Sequence, residues 1–422
     1  MKILMEAPIL TQSGYGEHSR LVFRALSVRN DIELYINPLN WGQTSWISTF
    51  DSEREAIEKS INNFFHAHEN MKLGIETKFD IHIHVGIPNE FERKAPRSIC
   101  VTAGIETDRV SADWIIKTNK EIDKLIVPSQ HARNIFVSTA YEAVDEKNEV
   151  RSVLQCACPV DVVPYPVKKI LPKHLDFETE TEFNFLSIAL LGHRKNIENM
   201  TKWFVSEFEN ESVGLILKTG ASSGSVMDRE YTEGVLKNTL SSYNKSNRKC
   251  KVYLLHGDLT ESEIHSLYHR EDVHAYVTAT HGEGYGLPIF EAAYSGMPVI
   301  ATNWSGHLDF LNANIRRKKK IQKKELFAKV DYELKEIPKK AVWDKILVEG
   351  SCWAYPDETS FRKQLRKVRN NYNFYKKQAN ELKVEINKSY SKEIVLSLMA
   401  KSILEDIKDI NFRDGKEEIM VL

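Results

Sequence analysis

The stretch HGEGYGLPIFEAAYSGMPVIATNWSGHLDF, residues 281–310, decides how the rest of the chain is read. Before it runs VHAYVTAT (273–280), a β-branched and aromatic run that reads as a strand, and HGEGYG is the turn leaving its carboxyl end. Pro288 suits the first turn of a helix, where its missing N–H costs nothing, and Gly296 suits the helix end before the next strand, PVIATN. A glycine-rich turn that opens a helix after a parallel strand presents backbone N–H groups and a positive dipole end. Here these come from Gly284, Tyr285, Gly286 and Leu287, and they suit phosphate. Glu291, one turn into the helix, would repel a phosphate placed on it. A carboxylate is instead an acceptor-only group whose two oxygens match a vicinal diol. Ribose supplies such a diol, and so does a hexose. One carboxylate for each, Glu283 and Glu291, flanking a diphosphate describes a nucleotide-sugar.

Outward from this unit, short apolar runs alternate with longer amphipathic segments, the pattern of βα units on a parallel sheet. KILMEAP, DIHIHVG, SICVTAG and KLIVPS form one group of strand candidates; NFLSIALL, VGLILKTG, KVYLLHG, VHAYVTAT and PVIATN form a second. Between them VVPYPVKKILPKHLDFETETEF (162–183) has three prolines and little periodicity, which reads as a linker. At 422 residues and 42% hydrophobic content the chain is long enough for two cores. The expected fold class is α/β with two Rossmann-like domains: residues 1–165, a linker over 166–182, and residues 183–395. A helical segment over 396–422 is expected to pack back on the first domain. The formal net charge of −1 excludes a global attraction to nucleic acid or membrane. The five cysteines lack the paired spacing of a zinc site and fit a reducing compartment, and Cys156-Ala-Cys158 reads as a strand pair rather than a redox motif. Glu6 interrupts the N-terminal apolar run before a signal-peptide core forms, and no run of 18 apolar residues follows. A soluble, cytoplasmic protein is the expectation.

EGYGLPIFEA, with seven residues between its two glutamates, resembles the signature of the retaining family-4, or group 1, glycosyltransferases. The resemblance extends to SICVTAGIETDRVSADWI (98–115) with KLIVPSQHARNIF (124–136), to FNFLSIALLGHRKN (183–196), to KVYLLHGDL (251–259) and to CWAYP (352–356). It implies the GT-B architecture, two Rossmann-like domains facing across a cleft with the donor held mainly by the second. It places Glu283 near the transferred sugar and Glu291 on the ribose. It also implies basic side chains that neutralise the diphosphate leaving group: Lys195 matches the family lysine, whereas the family arginine position falls on Leu190 and the nearby arginine is Arg194. The loop with Gly14 and Gly16 resembles the glycine loop of the first domain that reaches the donor phosphate, a simple turn being the competing reading. Where many members carry a histidine this chain has Glu106, Thr107 and Asp108. Glu106 is the candidate facing the reacting sugar, with a helix cap by Thr107 or Asp108 as the alternative. The resemblance implies no cofactor beyond the nucleotide-diphosphate sugar donor, no metal, and a front-face mechanism without a protein nucleophile. His82 and His84 alternate on one face of DIHIHVG, but no third cluster completes a metal site.

The acceptor is not legible. RRKKKIQKK (316–324) has seven basic residues in nine, and 362–377 has seven more with Phe361, Tyr372, Phe374 and Tyr375 interleaved. Such runs can contact DNA or another anionic surface, although a solvated face is the more ordinary reading. FAKVDYELKEIP with VWDK and CWAYP looks like group 1 enzymes of large tailed phages, which keeps a DNA-modifying glycosyltransferase acting on hydroxylated bases among the alternatives. A non-catalytic nucleotide-sugar-binding module and a sugar-nucleotide epimerase of similar architecture complete them.

Overall fold

The computed structural model describes residues 1–144, 150–243, 247–317 and 320–405. In the first half the order is β1 (Lys2–Ala7), α1 (Gly14–Ser27), β2 (Glu33–Pro38), α2 (Ser52–Lys72), β3 (Ile81–Val85), β4 (Arg97–Val101), α3 (Ala112–Glu121), β5 (Lys124–Val127), α4 (Gln130–Ser138), β6 (Ala140–Val144), β7 (Val150–Gln155) and β8 (Val160–Val162). Residues 163–182 form neither helix nor strand. The second half runs β9 (Phe183–Ile188), α5 (Ile197–Phe208), β10 (Val213–Lys218), α6 (Val226–Leu240), β11 (Lys251–Leu255), α7 (Glu261–Leu267), β12 (Val273–Val277), α8 (Leu287–Ser295) and β13 (Val299–Thr302). After these come α9 (Leu308–Leu311), β14 (Asn312–Arg317), β15 (Lys320–Glu325), β16 (Ala328–Val330), β17 (Tyr332–Glu336), β18 (Cys352–Pro356), α10 (Glu358–Asn370), α11 (Tyr372–Ser389) and α12 (Lys392–Leu404).

Two six-stranded parallel sheets organise these elements, in the orders β2-β1-β3-β4-β5-β8 and β11-β10-β9-β12-β13-β16. All nine strands expected from the sequence lie in them. β2, β8 and β16 were not expected, and neither were the antiparallel pairs β6–β7, β14–β15 and β17–β18. Strands covered on both faces are uniformly apolar, which is why β10 (VGLILK) and β5 (KLIV) bury nearly every residue. For the same reason the alternation in β3 does not mark a solvent face. His82 is fully buried, with Nε2 3.0 Å from Glu6 Oε2, and His84 is buried beside it.

Both sheets reverse strand order at one point, between β1 and β3 in the first and between β9 and β12 in the second. At such a switch point the loops leaving adjacent strands diverge and open a crevice at their carboxyl ends. The second crevice is flanked by residues 189–196 and 278–286, and the first by residues 8–13. The chain then returns: α11 packs on α8, and α12 packs on α1 with Val395, Met399 and Ile403 buried. Among the described residues no helix is long and apolar enough to cross a membrane.

Candidate functional site

The helix that follows HGEGYG begins and ends as its sequence dictates. Gly286 is its N-cap at φ +91°, Pro288 falls in the first turn, and Gly296 closes it at φ +81°. Across the β9–β12 switch point, residues 193–195 make a single 3-10 turn that ends on Asn196 in the left-handed region, φ 55°. This tight turn projects Arg194 and Lys195 toward the other loop. Lys195 Nζ lies 2.5 Å from Glu283 Oε1, and the Arg194 guanidinium lies 3.1 Å from Glu283 Oε2. Arg194 also donates to the Gly282 carbonyl at 2.6 Å. Its other terminal nitrogen lies 3.0 Å from Glu106 Oε1, in the loop after β4 of the first half. Four of the expected site residues, Glu106, Arg194, Lys195 and Glu283, thus form one network of two cations and two carboxylates.

Burial alone would raise the Glu283 carboxyl, but Lys195, with Arg194 second, outweighs it and holds the group down at about 2. Burial works against the Arg194 charge and is overcome by Glu106 and Glu283, which raise it above the ordinary arginine value. Lys195 moves the other way: burial, then the neighbouring Arg194, lower it despite Glu283. The network pairs two basic side chains with two acidic ones in a low-dielectric setting, a preorganised arrangement in which Glu283 is held as the carboxylate.

The two halves touch directly over this turn. A Cβ on Gly284 would stand 1.8 Å from the Ala103 carbonyl oxygen, and one on Gly282 would stand 2.2 Å from that of Glu106. Ser129 Oγ, at the start of α4, donates to the Gly284 carbonyl at 2.6 Å. Only glycine fits backbone this close to backbone. Asp108 contributes as well, accepting from the Cys352 N–H at 2.7 Å, while the Ala354 N–H on the same strand donates to the His281 carbonyl at 3.0 Å. The helix-cap alternative for Thr107 and Asp108 is corrected here. The N-cap of α3 is Ser111, and Thr107 Oγ1 donates to the Arg109 carbonyl.

Glu291 stands apart from the network. It is partly buried on α8 and accepts from the Tyr268 hydroxyl at 3.0 Å. Burial raises its carboxyl to about 7; Lys168 and the tyrosine oppose the rise, and Glu261 and Glu17 add to it. Tyr285 faces inward, buried against Tyr165, Phe290 and Phe310, so its backbone rather than its ring is what the turn can offer a ligand. Leu287 and Glu291 line one narrow cleft. On the facing half Gly14 begins α1 and is exposed, whereas a Cβ on Gly16 would meet the Thr11 carbonyl at 2.1 Å. Leu190, at the family arginine position, is 55% exposed, and Arg194 makes the ion pairs instead.

Three further residues, Ser305, Gly306 and His307, support the turn. Ser305 donates its backbone strain to the site, sitting at φ +86° with its Oγ accepting from the Glu283 N–H at 2.9 Å. The fully buried His307 lies 2.7 Å from the Thr302 carbonyl and beneath the same turn. A Cβ on Gly306 would stand 2.1 Å from the Gly284 carbonyl. NWSGHL was within the opening stretch, and its Ser-Gly pair was the available cue to a tight approach.

The basic runs divide. In 362–377, Arg362 and Arg366 pair with Glu207, Arg366 and Arg369 pair with Glu211, and the latter two stack over Phe208, while Phe361 is core. These arginines fasten α10 to α5. In 316–324 the backbone forms the β14–β15 pair; Lys318 and Lys319 lie outside the described residues, as do the side chains of residues 316, 317, 320 and 321. The proposed DNA or anionic-surface contact falls on those residues. Among the described residues no group of three or more His, Cys, Asp or Glu could hold a metal ion.

With this geometry in place, a sequence profile for "Glycosyl transferases group 1" matches residues 175–340, which span the second sheet and both halves of the β9–β12 crevice. No curated protein matches the sequence. Among solved structures, sucrose-phosphate synthase from Thermosynechococcus elongatus is similar over 95% of this chain and 98% of its own, at 12% identity and a TM-score of 0.59. A glycosyltransferase from Rickettsia africae aligns over 96% and 99% at 14% identity and TM-score 0.58. The Anabaena protein HepE, in complex with UDP and glucose, aligns over 96% and 100% at 11% identity and TM-score 0.57. At these identities the likeness shows the fold, which is GT-B. Residues 175–340 thus match the group 1 glycosyltransferase profile, within a chain whose fold is that of the GT-B glycosyltransferases it is similar to.

Proposed function

We propose that the protein transfers a sugar, with retention and without a divalent metal, from a nucleoside diphosphate sugar to a hydroxyl acceptor. The observation that carries this reading is the pairing of Lys195 and Arg194 with Glu283 at the β9–β12 switch point, with Glu291 eight residues further on. Glu291 accepts hydroxyls of the ribose. Glu283 faces the transferred sugar, and the glycine turns of both halves, from Gly14 and Gly284 onward, meet the diphosphate with backbone. The acceptor hydroxyl attacks the anomeric carbon on the face from which the phosphate leaves. The bond from that carbon to the phosphate oxygen breaks, and the departing oxygen takes the acceptor proton. Lys195 and Arg194 stabilise the charge growing on that oxygen, and Glu283 stabilises the oxocarbenium-like sugar. Glu106 then competes with the diphosphate for Arg194. The Anabaena protein of the same fold is in complex with UDP and glucose, which supports a sugar-nucleotide donor here. Free cysteines and the absence of an apolar spanning helix among the described residues accord with a cytoplasmic setting.

Two cations do the neutralising usually required of a bridging ion, and the chain contains no Asp-x-Asp. Turnover is therefore expected to be unchanged in excess EDTA, and the product anomer read by proton NMR is expected to match the donor anomer. Loss of activity that manganese restores, or an inverted product, would remove the corresponding part of the reading.

A further inference from the structure

Glu291 is served by a charge cluster drawn from four parts of the chain. Lys168, in the irregular segment between the sheets, lies 2.7 Å from Glu261 Oε1 at the start of α7 and 3.0 Å from Glu17 Oε1 on α1. Glu17 is buried and is held in addition by Arg20 at 3.2 Å and Arg24 at 2.8 Å. The narrow cleft that contains Glu291 is lined by Glu17, Tyr165 and Lys168 as well, so the lysine shares one space with two carboxylates and holds the third, Glu261, from an adjoining cavity. The remaining titratable groups against Glu291 are Tyr268 after α7, Tyr276 on β12 and Tyr294 on α8, all neutral phenols raised by burial. Lys168 also lines that adjoining cavity, of about 740 Å³, which gives the cluster access to solvent.

Two carboxylates facing one cleft repel each other, and a cation between them offsets that repulsion. Among the described groups that act on Glu291, Lys168 is the cation that lowers its carboxyl. A protonated Glu291 would offer a donor O–H and lose half of its acceptor capacity toward a diol. We infer that Lys168 is a positioning residue for the donor, its ammonium keeping Glu291 in the carboxylate form that accepts the donor's hydroxyls. The inference rests on the donor reading of Glu291 given above. It also gives the segment between the sheets a task in binding, because the same nitrogen joins a residue of each half.

The test is calorimetric titration of the full chain with UDP, ADP and GDP, following whichever binds tightest from pH 6 to pH 9. Wild type, Lys168→Met, Lys168→Arg and Glu291→Gln are compared, with circular dichroism confirming that each is folded. The ratio of variant to wild-type affinity cancels the nucleotide's own titration. If removing the ammonium raises the Glu291 carboxyl by about one unit, Lys168→Met binds about fivefold more weakly at pH 7 and within about twofold of wild type at pH 9. Lys168→Arg keeps the wild-type profile, and Glu291→Gln loses the pH dependence. A Lys168→Met deficit that is the same at every pH marks a merely structural role and overturns the inference, as does a wild-type profile in that variant. If Glu291→Gln binds as wild type does at every pH, the donor reading of Glu291 fails first and this inference falls with it.

Discussion

Replacing Lys195 with methionine is expected to lower turnover by about a hundredfold or more while leaving the fold intact. Methionine keeps the length and the apolar stem of lysine and removes only the ammonium that lies 2.5 Å from Glu283. In the resting site that ammonium neutralises a buried carboxylate; in the transition state it faces the charge arriving on the leaving oxygen. Removing one fixed group of this kind costs about 10²–10³ in turnover in sites that stabilise developing charge. The same change leaves Glu283 with Arg194 alone, so its carboxyl, now at about 2, should rise toward the ordinary range as the largest opposing influence on burial is lost. Because a depressed carboxylate stabilises the fold above its unfolded value and loses that contribution as pH falls, the variant should tolerate acid no worse than wild type relative to its own stability at pH 7. Steady-state kinetics with donor hydrolysis as the readout checks the rate, and turnover within threefold of wild type would exclude Lys195 from leaving-group stabilisation.

Gly284→Ala is expected to have a comparable effect by a different route. The added methyl would stand 1.8 Å from a backbone carbonyl of the opposite half, at Ala103, and backbone cannot swing aside as a flexible side chain can. The halves must separate there, which draws Glu106 away from Arg194 and the first-half loop away from the turn. A displacement of about 1 Å at a reacting centre can cost about a hundredfold in rate. Gly234→Ala serves as the control, because its Cβ meets nothing within 4 Å inside α6 and alanine is the better helix former by about 1 kcal/mol. Turnover and small-angle scattering of both proteins test this. A Gly284→Ala protein of wild-type activity and dimensions would show that the contact of the two halves is not part of the working site.

The sheets were legible because parallel strands buried on both faces are short, continuous apolar runs, and nine of these stood clear of their neighbours. β8, at the edge of the stretch that reads as linker, and β16 are each only three residues long, too short for an apolar run to stand out. The bounds of α8 were legible from Pro288 and Gly296, since each residue has one local conformation to offer there. The two glutamates were legible by spacing, and Arg194 by its place beside Lys195. What escaped was non-local. Lys168 reaches Glu17 and Glu261 across 151 and 93 positions, Ser305 holds Glu283 across 22, and Asp108 holds Cys352 across 244. Nothing in periodicity or local composition announces such a contact. The arginines of 362–377 gave no sign of pairing for the same reason, their acids Glu207 and Glu211 lying at and just past the end of α5, more than 150 residues earlier.

The central claim, that the Glu283–Glu291 turn with Lys195 is a nucleoside diphosphate sugar site, is tested most directly by thermal denaturation of wild type and of Glu291→Gln/Lys195→Met against a panel of uridine, adenosine and guanosine diphosphate sugars. A ligand that binds only the folded chain raises its melting temperature by mass action. Loss of one charge-assisted hydrogen bond is worth about 1.5–3 kcal/mol, so each substitution should weaken binding about tenfold or more. A donor is expected to stabilise wild type at millimolar concentration and to leave the double variant unmoved. A donor that stabilises both proteins equally would contradict the claim.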